Sequence, residues 1–390
     1  MAARIICTSG AIWRRGLAAV NKAETTIRGL LSLADIDING SHPRDIQVND
    51  QQFYQRVLSG GPLGLGEAYM DGVWDCDALD ELIYQLLRAD LEHRISPLKL
   101  LIPVLWAKLG NMQSRSRAFR IGEHHYDIGN DLYELMLDPR MVYTCGYWKD
   151  ADNLNDAQEA KLDLICRKVG LEPGMRVLDL GCGWGSFAGF AAERYGVQVV
   201  GVTVSREQIE YGQARYRDLD VDLRFQDYRD VDERFDRVVS IGILEHVGPK
   251  NYRTFMKVVD RCLADDGLYL LHTIGTNTRA LAVDPWTNKY IFPGGVLPVL
   301  HQIDAATEGL FIMEDLHNIG THYDPTLMAW MANVDKHREE LKALGYDDRF
   351  YRMWRYYLLG AAGSDRARRN QLWQIVYSKR GLDGGYESIR

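Results

Sequence analysis

The chain has 390 residues, longer than one ordinary domain, and 46% hydrophobic with 26% charged residues is the balance of a chain that folds around a core. Its 46 Lys and Arg against 54 Asp and Glu leave a net charge of -8, which repels nucleic acid and anionic membrane except at local basic patches. The cysteines (Cys7, Cys76, Cys145, Cys166, Cys182, Cys262) are scattered with no Cys-x-x-Cys pair, which argues against zinc and a disulfide framework and fits a reducing cytoplasm.

At the amino end, Ile5 to Trp13 is a short apolar run that Arg14 and Arg15 follow rather than precede, the wrong order for a secretory signal, so the protein is expected to stay inside the cell. No apolar run approaches the roughly 20 residues needed to span a bilayer. Leu17 to Ala34 suits an exposed helix, and Asn39-Gly40 marks a turn ahead of a short strand over Asp45 to Val48. Gly60 to Gly72 is too glycine-rich for regular structure and is expected to bend the backbone between helices. Asp77 is placed to cap a core helix whose Leu79, Leu82, Ile83, Leu86 and Leu87 share a face. Arg94 to Arg120 then carries basic residues and no acidic one around the apolar stretch Leu98 to Leu109 with Trp106. This suits either the headgroup layer of a membrane or ordinary core packing with a basic rim. Ser114 to Ser116 reads as a linker. The organisation expected is a small, mainly helical amino-terminal domain over 1–114, a linker over 115–122 and a catalytic domain over 123–390.

Glu123 to Asp131 and Asp138 to Asp150 are dense in polar and aromatic residues, costly to bury without partners, and read as a wall or lid of a site. Val177 to Gly185, Val-Leu-Asp-Leu-Gly-Cys-Gly-Trp-Gly, is a buried strand end running into a turn with glycine at every second position, followed directly by a helix over Ser186 to Arg194. Strands follow at Val197 to Thr203, Leu219 to Phe225, Phe235 to Ile241 and Gly267 to His272, separated by helix-compatible segments. That alternation predicts an α/β fold with a parallel sheet, helices on both faces and a ligand at the strands' carboxyl ends. Asp284 to Pro298 is irregular, aromatic and proline-rich, a candidate substrate wall. Arg349 to Arg380 carries eight basic residues against Asp365 alone and reads as a basic helical surface, able to meet lipid phosphates or simply solvated.

The glycine turn resembles the nucleotide loop of Rossmann-type S-adenosylmethionine-dependent methyltransferases; a dinucleotide dehydrogenase would place its third glycine three residues after the second. Six further blocks occur in order: His125 to Asn130, Tyr143 to Trp148, Gly201 to Ser205 with Gln208, Ile243 to Gly248, Leu271 to Gly275 and Tyr290 to Gly295. Together they resemble the bacterial cyclopropane-fatty-acyl-phospholipid synthases, relatives of the mycolic acid cyclopropane synthases. Gly64 to Gly72 is similar to the small amino-terminal domain that the bacterial enzymes carry.

The resemblance implies transfer of the sulfonium methyl of S-adenosylmethionine to a cis double bond of a phospholipid acyl chain, closing a cyclopropane ring through a carbocation. Electron-rich rings at Tyr126, Tyr143, Tyr147, Trp148, Trp286, Tyr290 and Tyr323 are available to face that cation. It further implies that bound bicarbonate removes the proton, held by the main chain of Cys145 and Ile274 and by Glu245, His272 and Tyr323. Glu245 also reads as a strand-end acid that bonds the cofactor, and His272 as a core histidine. A covalent role for Cys145 has no activating base at fixed spacing. For the cofactor, the resemblance points to Tyr126, Tyr143 and Thr144 at the amino-acid end and Gly181, Gly183 and Gly185 along the methionine and ribose. Thr203, Ser205 and Gln208 would stand in place of the usual ribose-binding acid, and Gln226, Asp227 and Tyr228 would lie near the adenine. Ala361 stands where the wider family has a cysteine, which would then be dispensable. Homodimerisation and peripheral attachment to the inner face of the cytoplasmic membrane are implied in the same way. Two alternatives stay open: a lipid methyltransferase of the same scaffold that stops at a methyl branch or an exomethylene group, and a non-catalytic lipid-surface protein.

Overall fold

The computed structural model describes residues 22–90, 129–280 and 282–390. The expectations for Ile5 to Trp13, for Arg94 to Arg120, for the linker at 115–122 and for Tyr126 lie outside the described residues. Helix α1 covers 22–32. Ala23, Ile27 and Leu31 recur every fourth residue and are all buried, so this segment lays an apolar stripe into the core instead of standing exposed. The Asn39 turn is present, with Asn39 in the left-handed region at φ 58°. The strand beyond it is shorter than expected, because Asp45 turns its carboxylate onto the Asp37 and His42 N–H groups and only β1 (Gln47–Val48) pairs, antiparallel to β2 (Trp74–Asp75).

The glycine-rich segment is helical. Helix α2 (Gln52–Met70) is interrupted at Gly61 alone (φ 56°), and Pro62, which needs no N–H partner there, restarts it. Gly61 thus makes the bend expected of this stretch, while Gly64 and Gly66 serve contact. A Cβ on Gly64 would lie 2.2 Å from the Arg56 carbonyl oxygen, and one on Gly66 would lie 2.4 Å from the Trp286 ring. Helix α3 (Leu79–Arg88) buries Leu79 and Leu82, while Ile83, Leu86 and Leu87 are half-buried. Its N-cap is Ala78, so Asp77 does not cap it: Asp77 lies one residue too early, and its carbonyl accepts from Arg355.

Helices α4 (Asn130–Met136) and α5 (Leu154–Lys168) lead into the alternation. Strand β3 (Arg176–Leu180) is followed by α6 (Ser186–Tyr195), β4 (Gln198–Thr203) by α7 (Arg206–Arg215), and β5 (Val221–Phe225) by β6 (Phe235–Ile241). Helices α8 (Leu244–Val247) and α9 (Tyr252–Cys262) then lead to β7 (Leu263–Thr276). These five strands are parallel, in the order β5-β4-β3-β6-β7. Because β3 neighbours both β4 and β6, the connections leave it in opposite directions and open a crevice at its carboxyl end. One face of the sheet packs on α5 and α6 through Ile165, Phe187 and Ala191, the other on α9 through Phe255, Met256 and Val259.

The remainder is α10 (Pro285–Tyr290), α11 (Leu300–Thr307), β8 (Ile312–Asn318), α12 (Tyr323–Lys336), α13 (Arg338–Ala343), α14 (Asp348–Arg366) and β9 (Asn370–Ser378). The sheet is therefore mixed: β9 inserts antiparallel between β7 and β8. The segment 284–298 is not wholly irregular, since Asp284 accepts from the Trp286 and Thr287 N–H groups and starts α10.

Arg349 to Arg380 is half helix and half buried strand, and its cations are engaged within the protein. Arg349 pairs with Asp71 at 3.0 Å and Arg352 with Asp75 at 2.7 Å, and Arg355 donates to the Asp77 carbonyl. Arg366 meets Asp80 and Asp324, each at 2.9 Å, as well as Glu81, and Arg369 meets Asp90 at 3.0 Å. Lys379 and Arg380 face Asp265. This corrects the reading of that stretch as a surface for lipid phosphates: most of its charge fastens residues 71–90 to α14. The apolar part of the same contact is one buried cluster running from Ala23 through Trp74 and Leu82 to Trp354 and Leu358. No described helix is long and apolar enough to cross a membrane.

The tightest point of this contact is Gly363 on α14, where a Cβ would sit 2.3 Å from the Asp80 carbonyl oxygen in the first turn of α3. Gly363→Ala is expected to cost about 1–3 kcal/mol by overpacking, read as a lower urea midpoint in circular dichroism.

Candidate active site

The loop after β3 is built from backbone that only glycine adopts readily: Gly181, Gly183 and Gly185 have φ of 84°, 53° and 82°. Their tasks differ. A Cβ on Gly181 would lie 2.8 Å from Ile243, and one on Gly185 would lie 2.8 Å from Leu223, so these two are set by packing. Gly183 leaves open space, the nearest atom to its missing Cβ being Gln208 Nε2 at 4.0 Å. The Gly181 and Cys182 N–H groups both donate to the Val202 carbonyl, which pins the loop to β4.

A cavity of about 180 Å³ lies against this loop, at the carboxyl ends of β3, β6 and β7. That is room for several waters at roughly 30 Å³ each, so its polar lining is able to meet a guest. Tyr143, Thr144, Gly181, Gly183, Gln208, Glu245, His272, Ile274 and Tyr323 all line it. Nine residues from distant parts of the chain thus share one wall.

The other expected residues stand elsewhere. Cys145 is buried behind the wall with Leu164, Ile319 and Leu372, its thiol donating to the Gly146 carbonyl, and burial pushes that thiol up, away from a reactive thiolate. Gly185 is the N-cap of α6 and not part of the lining. Thr203 and Ser205 support Gln208: Thr203 Oγ1 donates to Gln208 Oε1 at 3.3 Å and accepts from Ser205 N–H, and Ser205 caps α7. Gln226, Asp227 and Tyr228 are outside the lining. The Asp227 carboxylate holds Arg229 through its main-chain N–H and its guanidinium at 2.8 Å, and Tyr228 packs on Phe255. Of the seven rings named for a cation, Tyr126 lies outside the described residues, and Tyr143 and Tyr323 face the cavity. Tyr147 packs against His322 with the rings tilted, the Trp148 indole donates to Thr326, and Trp286 and Tyr290 pack together beside α2.

The polar lining is under strain from burial. Ile274 N–H donates to Glu245 Oε1 at 2.6 Å, while Glu245 Oε2 has no partner, and burial pushes the carboxyl up to about 7. The Ile274 carbonyl in turn accepts from Thr273 Oγ1. Burial holds His272 neutral. The Gln374 amide approaches its Nδ1 at 3.3 Å, and with that amide donating the proton resides on Nε2, which has no partner. Tyr143 and Tyr357 share a hydroxyl–hydroxyl bond of 3.0 Å, and burial keeps Tyr143 and Tyr323 un-ionised.

Several lining residues were not singled out from sequence. Asp179, inside the Val-Leu-Asp-Leu run, is fully buried with Oδ1 unpartnered and is pushed up to about 7. The charge in an otherwise apolar strand was the available signal. Lys161 and Tyr357 are two others, whereas Phe292 belongs to the Asp284 to Pro298 stretch expected as a substrate wall. Lys161 in the middle of α5 looks like any solvated helix lysine, and nothing local marks it as buried.

The comparisons with known proteins agree with this geometry. The family model described as mycolic acid cyclopropane synthetase matches residues 113–375. The cyclopropane-fatty-acyl-phospholipid synthase of Escherichia coli (strain K12) is 54% identical over 362 residues, covering 93% of this chain and 94% of that protein. Cyclopropane mycolic acid synthase 2 of Mycobacterium leprae is 37% identical, covering 66% of this chain and 92% of that protein. Among solved structures, the cyclopropane synthase MmaA2 from Mycobacterium tuberculosis superposes with a TM-score of 0.63 at 31% identity, covering 67% of this chain and 98% of that one. The mycolic acid cyclopropane synthase CmaA1 complexed with SAH and CTAB gives 0.62 at 32% identity, covering 67% and 98%. With a methyltransferase sheet, a glycine loop beside a polar cavity and these relatives, the chain belongs to the mycolic acid cyclopropane synthetase family.

Proposed function

We propose that this chain transfers the methylene carbon of S-adenosylmethionine to the cis double bond of unsaturated phospholipid acyl chains, forming a cyclopropane ring, with bound bicarbonate as the base. The observation that supports it best is the pairing of two unpartnered buried atoms, Glu245 Oε2 and His272 Nε2, in one cavity with the glycine loop. When bound, S-adenosylmethionine supplies an electrophilic sulfonium methyl. The residues present fit such a molecule: Gly183 leaves backbone open to it, Gln208 offers an amide beside that opening, and Asp179 offers a free acceptor for an ammonium.

The apolar remainder of the wall, Phe292, Val296, Leu297 and Leu372, excludes water and suits an acyl chain. Tyr323, Tyr357 and Phe292 offer ring faces to positive charge developing on the substrate. For a bicarbonate ion, His272 Nε2–H and the Tyr323 hydroxyl are donors, and Glu245 Oε2 is an acceptor for its hydroxyl. The Ile274 N–H is committed to Glu245, so Ile274 acts first by orienting that carboxyl. The substrate is met at the inner surface of the cytoplasmic membrane by a homodimer; with the carboxyl-terminal arginines engaged in ion pairs, membrane attraction falls to the basic stretch Arg94 to Arg120.

Three measurements test this reading. Incubation with S-adenosylmethionine and unsaturated phosphatidylethanolamine vesicles is expected to yield lipid heavier by one CH₂ with its unsaturation lost, weighed by mass spectrometry. A methyl branch with a retained double bond would indicate the methylating alternative, and unchanged lipid a scaffold. Glu245→Ala and His272→Ala should each lower kcat by roughly 10²- to 10⁴-fold, and bicarbonate-depleted buffer should slow the wild type until bicarbonate is restored.

Separately from the reaction, the burial of Glu245 gives stability a pH dependence. Glu245 is raised in the folded state from its ordinary 4.5 to about 7. Its contribution to stability is therefore full below the unfolded value and is lost as pH rises through about 7. Glu245→Gln should match or fall slightly below the wild type near pH 4.5 and exceed it at pH 8 by up to about 3 kcal/mol, measured by denaturant unfolding at both pH values.

A further inference from the structure

Lys161 reaches the cavity wall from the middle of α5 with its side chain fully buried, and its Nζ donates to Thr144 Oγ1 at 2.9 Å. A buried ammonium costs several kcal/mol unless a charge meets it, and a hydroxyl is not a charge. Among the described residues, no carboxylate lies within ion-pair distance of this nitrogen. Two acids are near enough to act on it. The Asp138 carboxylate already accepts from the Arg140 and Val142 N–H groups, and Asp179 keeps Oδ1 unpartnered on the same cavity wall. If satisfying Thr144 were the only task, a neutral side chain would perform it without the desolvation cost. The arrangement is thus a buried amine and a buried carboxyl, both lining one cavity and not in ion-pair contact with each other.

We propose that Lys161 is a cofactor-positioning residue that makes, with Thr144, a cationic seat for the α-carboxylate of the bound sulfonium nucleoside, across from the free oxygen of Asp179. This rests on the S-adenosylmethionine reading above and adds to it the recognition of the amino-acid end as a zwitterion. A neutral nucleoside has nothing to offer either charge. Burial holds Lys161 down to about 8 and Asp179 up to about 7, so each is close to losing its charge in the empty protein. A carboxylate arriving at one and an ammonium at the other favours the charged form of both, and the two contacts reinforce each other.

Calorimetric titration of the full-length protein with S-adenosylhomocysteine and with 5′-methylthioadenosine, which has the same nucleoside and sulfur but no amino-acid end, separates this role from a structural one. Lys161→Met is expected to weaken S-adenosylhomocysteine by roughly 10- to 100-fold, the loss of a charge-assisted hydrogen bond, and to leave methylthioadenosine within about twofold. Equal weakening of both ligands, or no weakening of either, overturns the assignment. If Lys161→Met does not fold, Thr144→Val, which replaces the bridging hydroxyl by a methyl of equal volume, should show the same selective loss, and its absence overturns the proposal equally. Failure of the wild type to bind either nucleoside would remove the cofactor reading itself, and this inference with it.

Discussion

The site depends on polar groups being held out of water. Glu245, His272 and Asp179 each keep one buried atom without a partner, and each such atom costs about 1–3 kcal/mol relative to a satisfied one. A fold tolerates that only where its surroundings leave the side chain no alternative position. The bond from Ile274 N–H to Glu245 Oε1 does this for the most exposed of the three: it ties the turn after β6 to the end of β7 and fixes which oxygen remains free. His272 is fixed from the other direction by Gln374 on β9, and Asp179 by its place within β3. The sheet thus imposes three unsatisfied groups on one small volume, and the energy withheld there is what a correctly shaped guest recovers.

The amino-terminal residues are tied to this arrangement by charge and by shape. Arginines along α14 face carboxylates in residues 71–90, and Gly363 lets α3 approach the helix at backbone distance. Trp286 lies over Gly66 of α2, and Glu67 accepts from Lys289 and Tyr290, immediately before Phe292 enters the cavity wall. One wall of the site is therefore buttressed by residues far from it in sequence.

Much of this was legible along the chain, and the rest fails for identifiable reasons. The parallel strands could be read because alternation of short apolar runs with helical periods is a local pattern, and the glycine loop because positive φ demands glycine. The residues around the cavity came as a set only through family resemblance, since no spacing connects Tyr143 with Tyr323. Long-range pairing defeated local reading three times. Basic residues on α14 look alike whether solvated or paired, and their acids lie some 280 positions away. Gly64 and Gly66 resemble flexibility until the atoms that would strike a Cβ are known. Lys161 carries no mark in its own helix, because its burial is decided by Thr144 and by β3. Strand β9 was hidden by the arginines flanking an otherwise apolar run.

The position of β9 has a consequence for how the molecule assembles. Strand β8 is made of residues 312–318, yet its hydrogen-bonded neighbour is β9 at 370–378, and β7 must also wait for that segment to cover its outer edge. During synthesis the five parallel strands can associate early, while β8 remains an unpaired edge until some 50 more residues have emerged and folded back. Leu372 of β9 is part of the cavity wall, so the pocket acquires its final outline in the same late event that seals the sheet. A nascent chain stalled before that point would hold a nearly complete nucleotide-binding core with one side of its pocket missing and a strand open to any neighbouring polypeptide.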